Sequence, residues 1–206
     1  MTNKIKNKIT EYLTFDIKKI INEDIDECYI FGGAIRDIIA DMPINDIDIL
    51  CMTQSHKKLS TVLEKEGYYL SKSIGGLDIN SMYKDIHCIF EPHNWIKIVN
   101  GEIRLVQLIR PSGIYRINYL LKNVDLSCCG VYYSYKDGLK ESIDFAIDDC
   151  LNKKYIKHSD HIMHQPTRTM DRINKLENRG WKQYHLDELK EERKRRMRIK
   201  KLKRIL

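Results

Sequence analysis

Hydrophobic and polar residues alternate along the chain with two periods, one typical of helices and one typical of strands. Residues 3–21 place isoleucine, leucine and tyrosine at helical spacing, which predicts an amphipathic helix. A short apolar run at 28–31 ends at Gly32-Gly33, which indicates a buried strand that enters a tight turn. Acidic and aliphatic residues alternate from residue 46 onward, so 47–52 is predicted to be a strand.

The rest of the chain continues this mixture of elements. The same patterns predict helices over 34–40, 56–66, 141–152 and 166–178, and strands over 68–73, 86–90, 95–99, 103–109 and 124–134. The predicted fold class is therefore α+β: a small mixed β-sheet with packed helices forms a head (1–150), a short helical neck follows (151–187), and a basic helix ends the chain (188–206).

The positive charge of the chain lies at its C-terminal end. Residues 188–206 contain ten Lys and Arg against three Glu, which accounts for the whole net charge of +7 and leaves residues 1–187 formally neutral. Because the body is neutral without this segment, we expect its deletion to leave the fold intact. Contact with RNA phosphates is the favoured role, with a solvated helix, a calmodulin-like partner or a membrane surface as alternatives.

Three features bear on the class of protein and its location. No run approaches eighteen uncharged apolar residues, so no membrane span is expected. The basic N-terminus lacks the apolar stretch of a secretory signal. The six cysteines are too few for a disulfide scaffold and are interpreted as reduced thiols in a cytoplasmic protein, with Cys128-Cys129 as core filling within a strand. A row of histidines (His158, His161 and His164) lacks the surroundings of a zinc motif and is interpreted as polar surface.

The segment from Gly32 to Asp48 carries the candidate chemistry. Asp46 and Asp48 are two residues apart on a predicted strand, so their carboxylates point to the same face and can share a hard cation such as Mg²⁺. A strand, a Gly-Gly turn and a helix start just upstream offer backbone N–H groups to a phosphate. Arg36 adds a guanidinium in the first helical turn. Together these residues predict a site for a metal–nucleoside triphosphate complex.

The same segment resembles the signature of the DNA polymerase β-like nucleotidyltransferases, in particular the head of the class II tRNA CCA-adding enzymes and bacterial poly(A) polymerases. That signature is Gly-Gly, two residues, Arg-Asp, and then Asp-x-Asp at the spacing found here. The resemblance implies that Asp46 and Asp48 bind two catalytic Mg²⁺ ions. It also implies that Gly32 and Gly33 hold the triphosphate of ATP or CTP, and that Arg36 and Asp37 support the nucleotide. Asp41 stands where the family usually has Gly.

The implied reaction transfers NMP from an NTP to a hydroxyl group, with the 3′ end of tRNA or a tRNA-like RNA as the expected acceptor. An enzyme of the same fold that nucleotidylates a protein or a small molecule remains open, as does a non-catalytic nucleotide- or RNA-binding relative. The cations expected to steer RNA belong to the C-terminal helix: Arg193, Lys194, Arg195, Arg196, Arg198, Lys200 and Lys201.

Two further blocks match the family loosely. The strand that should carry a third catalytic carboxylate, 103–109, contains no acid. Asp125 is the favoured substitute and Glu102 the second choice. In the neck, the resemblance implies that Arg168, Asp171 and Arg172 bind the nucleotide, and their i, i+3, i+4 spacing places them on one helix face.

Overall fold

The computed structural model describes residues 1–22, 25, 28–71, 89–111, 117–122, 124–157 and 166–203. Its α-helices are α1 (Thr2–Leu13), α2 (Gly33–Ile39), α3 (Thr53–Lys65), α4 (Ile117–Lys122), α5 (Ala146–Leu151), α6 (Pro166–Glu177) and α7 (Leu186–Lys203). The strands are β1 (Cys28–Phe31), β2 (Asp46–Cys51), β3 (Tyr69–Ser71), β4 (Ile89–Val99), β5 (Glu102–Pro111), β6 (Val131–Ser134), β7 (Gly138–Glu141), β8 (Lys154–Tyr155) and β9 (Lys182–Gln183).

A seven-stranded mixed sheet organises these elements, in the order β3-β4-β5-β2-β1-β6-β7. β2 and β5 run parallel, and the other neighbours in this sheet pair antiparallel. β8 and β9 form a separate parallel pair. This mixed sheet with packed helices confirms the predicted α+β class.

The main hydrophobic core lies on one face of the sheet. Ile47 and Ile49 of β2 are fully buried there, together with apolar residues of α1 and α2. Because side chains alternate along a strand, Asp46 and Asp48 lie on the opposite face. Ile173 and Leu176 of α6 belong to the same core. The predicted neck therefore packs into the head.

The first helix is shorter than predicted. The 3–21 periodicity continues, but α1 ends at Leu13 because Thr14 adopts a left-handed conformation (φ 63°). Asp16 then accepts a hydrogen bond from the backbone N–H of Lys18 and begins a 3₁₀ turn. Ile17, Ile20 and Ile21 remain buried, so the apolar period reflects burial rather than one continuous helix.

Two predicted strands also differ from the structure. The predicted strand 124–134 is a strand only from Val131, since a 3₁₀ turn at Ser127–Cys129 precedes it. The Ser127 hydroxyl donates to Asp149 at 2.6 Å and accepts from the backbone N–H of Ile156 at 2.9 Å, which fixes this turn. The predicted strands 86–90 and 95–99 belong, as far as their residues are described, to one strand, β4. No helix in the described part of the chain is long and apolar enough to cross a membrane.

Candidate active site

The Gly-Gly turn joins β1 to α2 as the sequence predicts. Gly32 has φ +68°, a conformation that side chains with a Cβ rarely adopt, and its N–H donates to the carbonyl of Val131 at 3.0 Å. Gly33 is the first residue of α2. The backbone therefore turns sharply where a strand end meets a helix start, beside the acidic strand β2.

The two aspartates of β2 share the face of the sheet that is opposite the main core. Asp48 lies between Phe31 of β1 and Gln107 of β5, and Asp46 lies beside Leu105 of β5. Burial raises the pKa of both carboxyls, and the neighbouring charge of Asp46 raises that of Asp48 further. The Asp48 Oδ1 atom is buried and has no hydrogen-bond partner among the described residues. This pair of crowded carboxylates is therefore poised to accept a cation.

These residues fit a Mg²⁺ ion that is held jointly with a nucleotide. Mg²⁺ keeps several waters and usually takes only one or two carboxylates from the protein, with substrate phosphates completing its shell. A bound cation would satisfy the lone Asp48 Oδ1 and relieve its repulsion with Asp46. Within the described ranges there is no cluster of three or more metal-ligating side chains, so two carboxylates are what β2 offers.

The strand beside β2 supplies no third carboxylate. The residues of β5 that face Asp46 and Asp48 are Leu105 and Gln107, and the Gln107 amide donates to Asn94 at 2.7 Å. Glu102 lies three residues before Leu105, which is about 10 Å along the strand. Its exposed carboxylate pairs with Arg104 at 2.8 Å. The structure thus places Glu102 away from the two aspartates.

Asp125 contacts the neck helix. It is almost fully buried, and its two oxygens accept from Thr169 Oγ1 at 3.2 Å and from Arg172 Nη1 at 2.6 Å. The charge of Arg172 also opposes the burial-driven rise in the pKa of Asp46 and Asp48. Asp125 therefore joins α6 to the site through Arg172.

Arg36 and Asp37 form hydrogen-bonded ion pairs inside the protein. Arg36 is 7% exposed, and its Nε donates to Asp37 at 2.7 Å while its Nη1 donates to the Cys129 sulfur at 3.4 Å. Asp37 also accepts from Arg179 Nη1 at 2.9 Å. A hydrogen bond from Cys128 and the charge of Arg36 lower the pKa of Cys129 to about 6. Arg36 therefore bridges Asp37 and Cys129 inside the protein, a role that the sequence did not indicate.

The neck helix brings only part of its predicted set to the site. The side chain of Arg168 lies outside the described residues, as does the histidine row, and Asp171 is exposed on α6. Arg172 does reach the site. Two cations that sequence reasoning missed are Lys175 and Arg179. Lys175 lies three residues after Arg172, a spacing that could have indicated a shared helix face, whereas Arg179 lies just beyond the end of α6.

The C-terminal helix is anchored to the body by two of its predicted RNA-binding residues. Arg196 is 8% exposed and pairs with Asp149, which is fully buried. Arg195 pairs with Asp148 of α5. The structure does not support the expectation that residues 188–206 can be deleted freely, because Asp149 would lose its cation. Arg193, Lys194, Arg198 and Lys201 are exposed, and the side chain of Lys200 lies outside the described residues.

Gly33→Ala is expected to preserve the fold and weaken nucleotide binding by about tenfold. A Cβ at this position would lie 3.6 Å from Arg36 Nη2, an ordinary contact, so the folded state has room for it. A phosphate approaching the helix start would meet the added methyl group. Calorimetric titration with Mg²⁺–NTP, beside a melting curve, measures both effects. Unchanged affinity would mean that the turn only supports the fold.

Comparisons with known proteins agree with this fold. The model of the Gabija anti-defense 2 family matches residues 3–168. No curated protein matches the chain. Among solved structures, a CCA-adding enzyme in apo form I aligns with a TM-score of 0.55 at 15% identity, covering 78% of this chain and 36% of that chain.

Two further similar structures were solved in complex with a ligand. A CCA-adding enzyme in complex with ATP aligns with a TM-score of 0.53 at 16% identity, over 77% of this chain and 35% of its own. The Thermotoga maritima CCA-adding enzyme complexed with tRNA aligns with a TM-score of 0.50 at 16% identity, over 78% of this chain and 36% of its own. At these identities the likeness shows the fold. The chain spans little more than a third of the length of these enzymes.

Proposed function

The chain belongs to the Gabija anti-defense 2 family, and we propose that it is a nucleotidyltransferase that moves NMP from an NTP to a hydroxyl group and releases pyrophosphate. The observation that carries this proposal is the arrangement of Asp46 and Asp48. They share one strand face next to the Gly32-Gly33 turn. The buried Oδ1 atom of Asp48 has no hydrogen-bond partner among the described residues, and a bound cation would supply one. The likeness to enzymes solved with ATP supports a nucleotide as the substrate.

Each part of the site has a proposed task. Asp46 and Asp48 would hold Mg²⁺, which when bound neutralises the phosphates and activates the attacking hydroxyl. The backbone at Gly32 and Gly33 binds the triphosphate. Asp125 positions α6 by holding Arg172, so that the cations of this helix face the reaction.

RNA is the first candidate acceptor. A structure with the same fold was solved with tRNA, and the exposed side of α7 presents a row of cations that suits a phosphate backbone. This row comprises Arg193, Lys194, Arg198 and Lys201. In this proposal the RNA 3′ end supplies the hydroxyl, and the exposed cations of α7 bind the strand that leads to it.

A protein of the Gabija system is the second candidate acceptor. The family description states an action against that defense system, and covalent modification of one of its proteins would be a direct means. Ile98 and Ile103 also favour a protein surface. They are 62% and 63% exposed, pair across β4 and β5, and lie on the same sheet face as Asp46.

Transfer of label separates these acceptors. Purified protein would be incubated with Mg²⁺ and α-labelled NTPs, once with total RNA and once with the proteins of the Gabija system. Label on RNA supports the first candidate, and label on a protein band that resists ribonuclease supports the second. Absence of label from both would count against nucleotide transfer to either class.

The exposed cations of α7 are expected to set the salt dependence of RNA binding. The triple variant Arg193→Gln/Arg198→Gln/Lys201→Gln should reduce the slope of log K against log salt by up to about 2, at roughly 0.7 per phosphate contact. Titration with labelled tRNA across a salt series measures it. The matched control removes three exposed lysines elsewhere, Lys57, Lys65 and Lys140. Equal slopes for the two triple variants would exclude α7 as the RNA-binding surface.

A further inference from the structure

The arginines around the catalytic aspartates are already paired with carboxylates of the protein. Arg36 bonds to Asp37 at 2.7 Å, and Arg172 bonds to Asp125 at 2.6 Å. Arg179 also bonds to Asp37, at 2.9 Å. A triphosphate that enters this site needs cations that are free to meet it, since each of these arginines would have to share its existing partner.

Lys175 is a cation of the neck helix that fits this requirement. It is exposed, and among the described residues its ammonium has neither a hydrogen-bond nor an ion-pair partner. Arg172 lies three residues before it on the same helix face, and Arg179 follows it by four residues, just beyond the end of α6. Since these two arginines hold α6 at Asp125 and Asp37, Lys175 is fixed between two anchor points of the site.

The opposite side of α6 fixes this orientation. Ile173 and Leu176 are buried in the main core, so α6 cannot rotate without exposing them. The two ion pairs that hold this segment reach Asp125 and Asp37, and Asp37 lies in α2, which begins at the Gly-Gly turn. Lys175 therefore projects from the same side of α6 as Arg172, which contacts the site at Asp125.

We propose that Lys175 binds the phosphate chain of the nucleotide substrate. This inference rests on the proposed nucleotidyltransferase function and assigns the site a cation outside the Gly-Gly, Arg-Asp and Asp-x-Asp signature. A lysine suits this task because its ammonium is a compact charge on a flexible stem that can follow phosphates of different length. It breaks no existing ion pair when it does so.

The test compares Lys175→Met with Lys140→Met, which removes an exposed lysine from β7 at the far edge of the sheet. Calorimetry would measure the affinity of each protein for the Mg²⁺ complexes of ATP, ADP and AMP at low and high salt. We expect Lys175→Met to weaken ATP and ADP binding by about tenfold, with a much smaller effect on AMP. High salt should reduce the difference, because an exposed charge is screened. Lys175→Arg should retain most of the affinity, and both variants should melt like the wild type.

The possible outcomes are distinct. Equal ATP affinity in Lys175→Met and Lys140→Met would overturn the role of Lys175 and leave the proposed function standing. An equal loss for ATP and AMP, or a loss that salt does not change, would overturn phosphate binding in favour of a contact with the base or with the fold. If the wild type bound none of the three nucleotides, the proposed function itself would fail, and the role of Lys175 with it.

Discussion

Asp46→Asn and Asp48→Asn are each expected to reduce nucleotide transfer at least about 100-fold while the protein stays folded. Each change removes a negative oxygen from the pair that would hold the metal, and neither side chain belongs to the main core. The control is Asp187→Asn, which alters a 95% exposed carboxylate at the start of α7. Either β2 variant retaining near wild-type rates would mean that these aspartates do not hold the catalytic metal.

Asp48→Asn has a second expected effect, on the thermal stability of the metal-free protein. Because burial raises the pKa of Asp48 in the folded protein, folding favours its protonated form. That contribution is fully present at a pH below the pKa of the unfolded chain, and it is lost as the pH rises through the folded value. Asn cannot ionise, so Asp48→Asn should raise the Tm of the metal-free protein at neutral pH. A lower Tm in metal-free buffer would show that the carboxylate has a structural partner.

Arg36→Met is expected to destabilise the fold by about 3–5 kcal/mol. The substitution leaves Asp37 buried with Arg179 as its remaining cation, and it leaves Cys129 without the guanidinium that favours its thiolate. It also removes the cation that lies 5.7 Å from the ring centre of Trp181. Loss of activity in this variant would therefore follow from unfolding.

Urea unfolding distinguishes this structural role from direct nucleotide binding. Arg36→Met should lower the urea midpoint strongly, and a second change, Asp37→Leu, should recover part of the loss because both buried charges are then gone. If Arg36→Met instead kept the wild-type midpoint and only weakened NTP binding, Arg36 would be the phosphate-binding residue that the signature implies.

Local patterns in the sequence were sufficient to predict the centre of the site, which is the pair of aspartates and the Gly-Gly turn. The alternation of Asp46, Ile47, Asp48 and Ile49 fixes which side chains face the core, so the shared face of the two carboxylates follows from strand geometry alone. The Gly-Gly pair after an apolar run likewise marks the turn, and Gly32 has the positive φ that only glycine adopts readily. These features depend on neighbours within a few residues.

Features that depend on distant residues could not be predicted in this way. The sequence indicated Arg36 as a nucleotide-binding residue and Arg196 as an RNA-binding residue, and only the fold shows that Asp37, Cys129 and Asp149 surround them. The turn at 127–129 also escaped prediction, because the hydroxyl that fixes it bonds to a helix more than twenty residues away. Long-range ion pairs and hydrogen bonds leave no periodic pattern in the neighbouring sequence from which they could be predicted.

One measurement tests nucleotide transfer most directly. The purified protein, Mg²⁺ and an acceptor mixture of total RNA and Gabija proteins would receive NTP labelled either at the α or at the γ phosphate. The account predicts that α-label becomes covalently attached to an acceptor while γ-label leaves as pyrophosphate. The double variant Asp46→Asn/Asp48→Asn should neither label an acceptor nor release pyrophosphate. Attachment of γ-label would indicate phosphoryl transfer instead, and equal labelling by the double variant would contradict the assigned site.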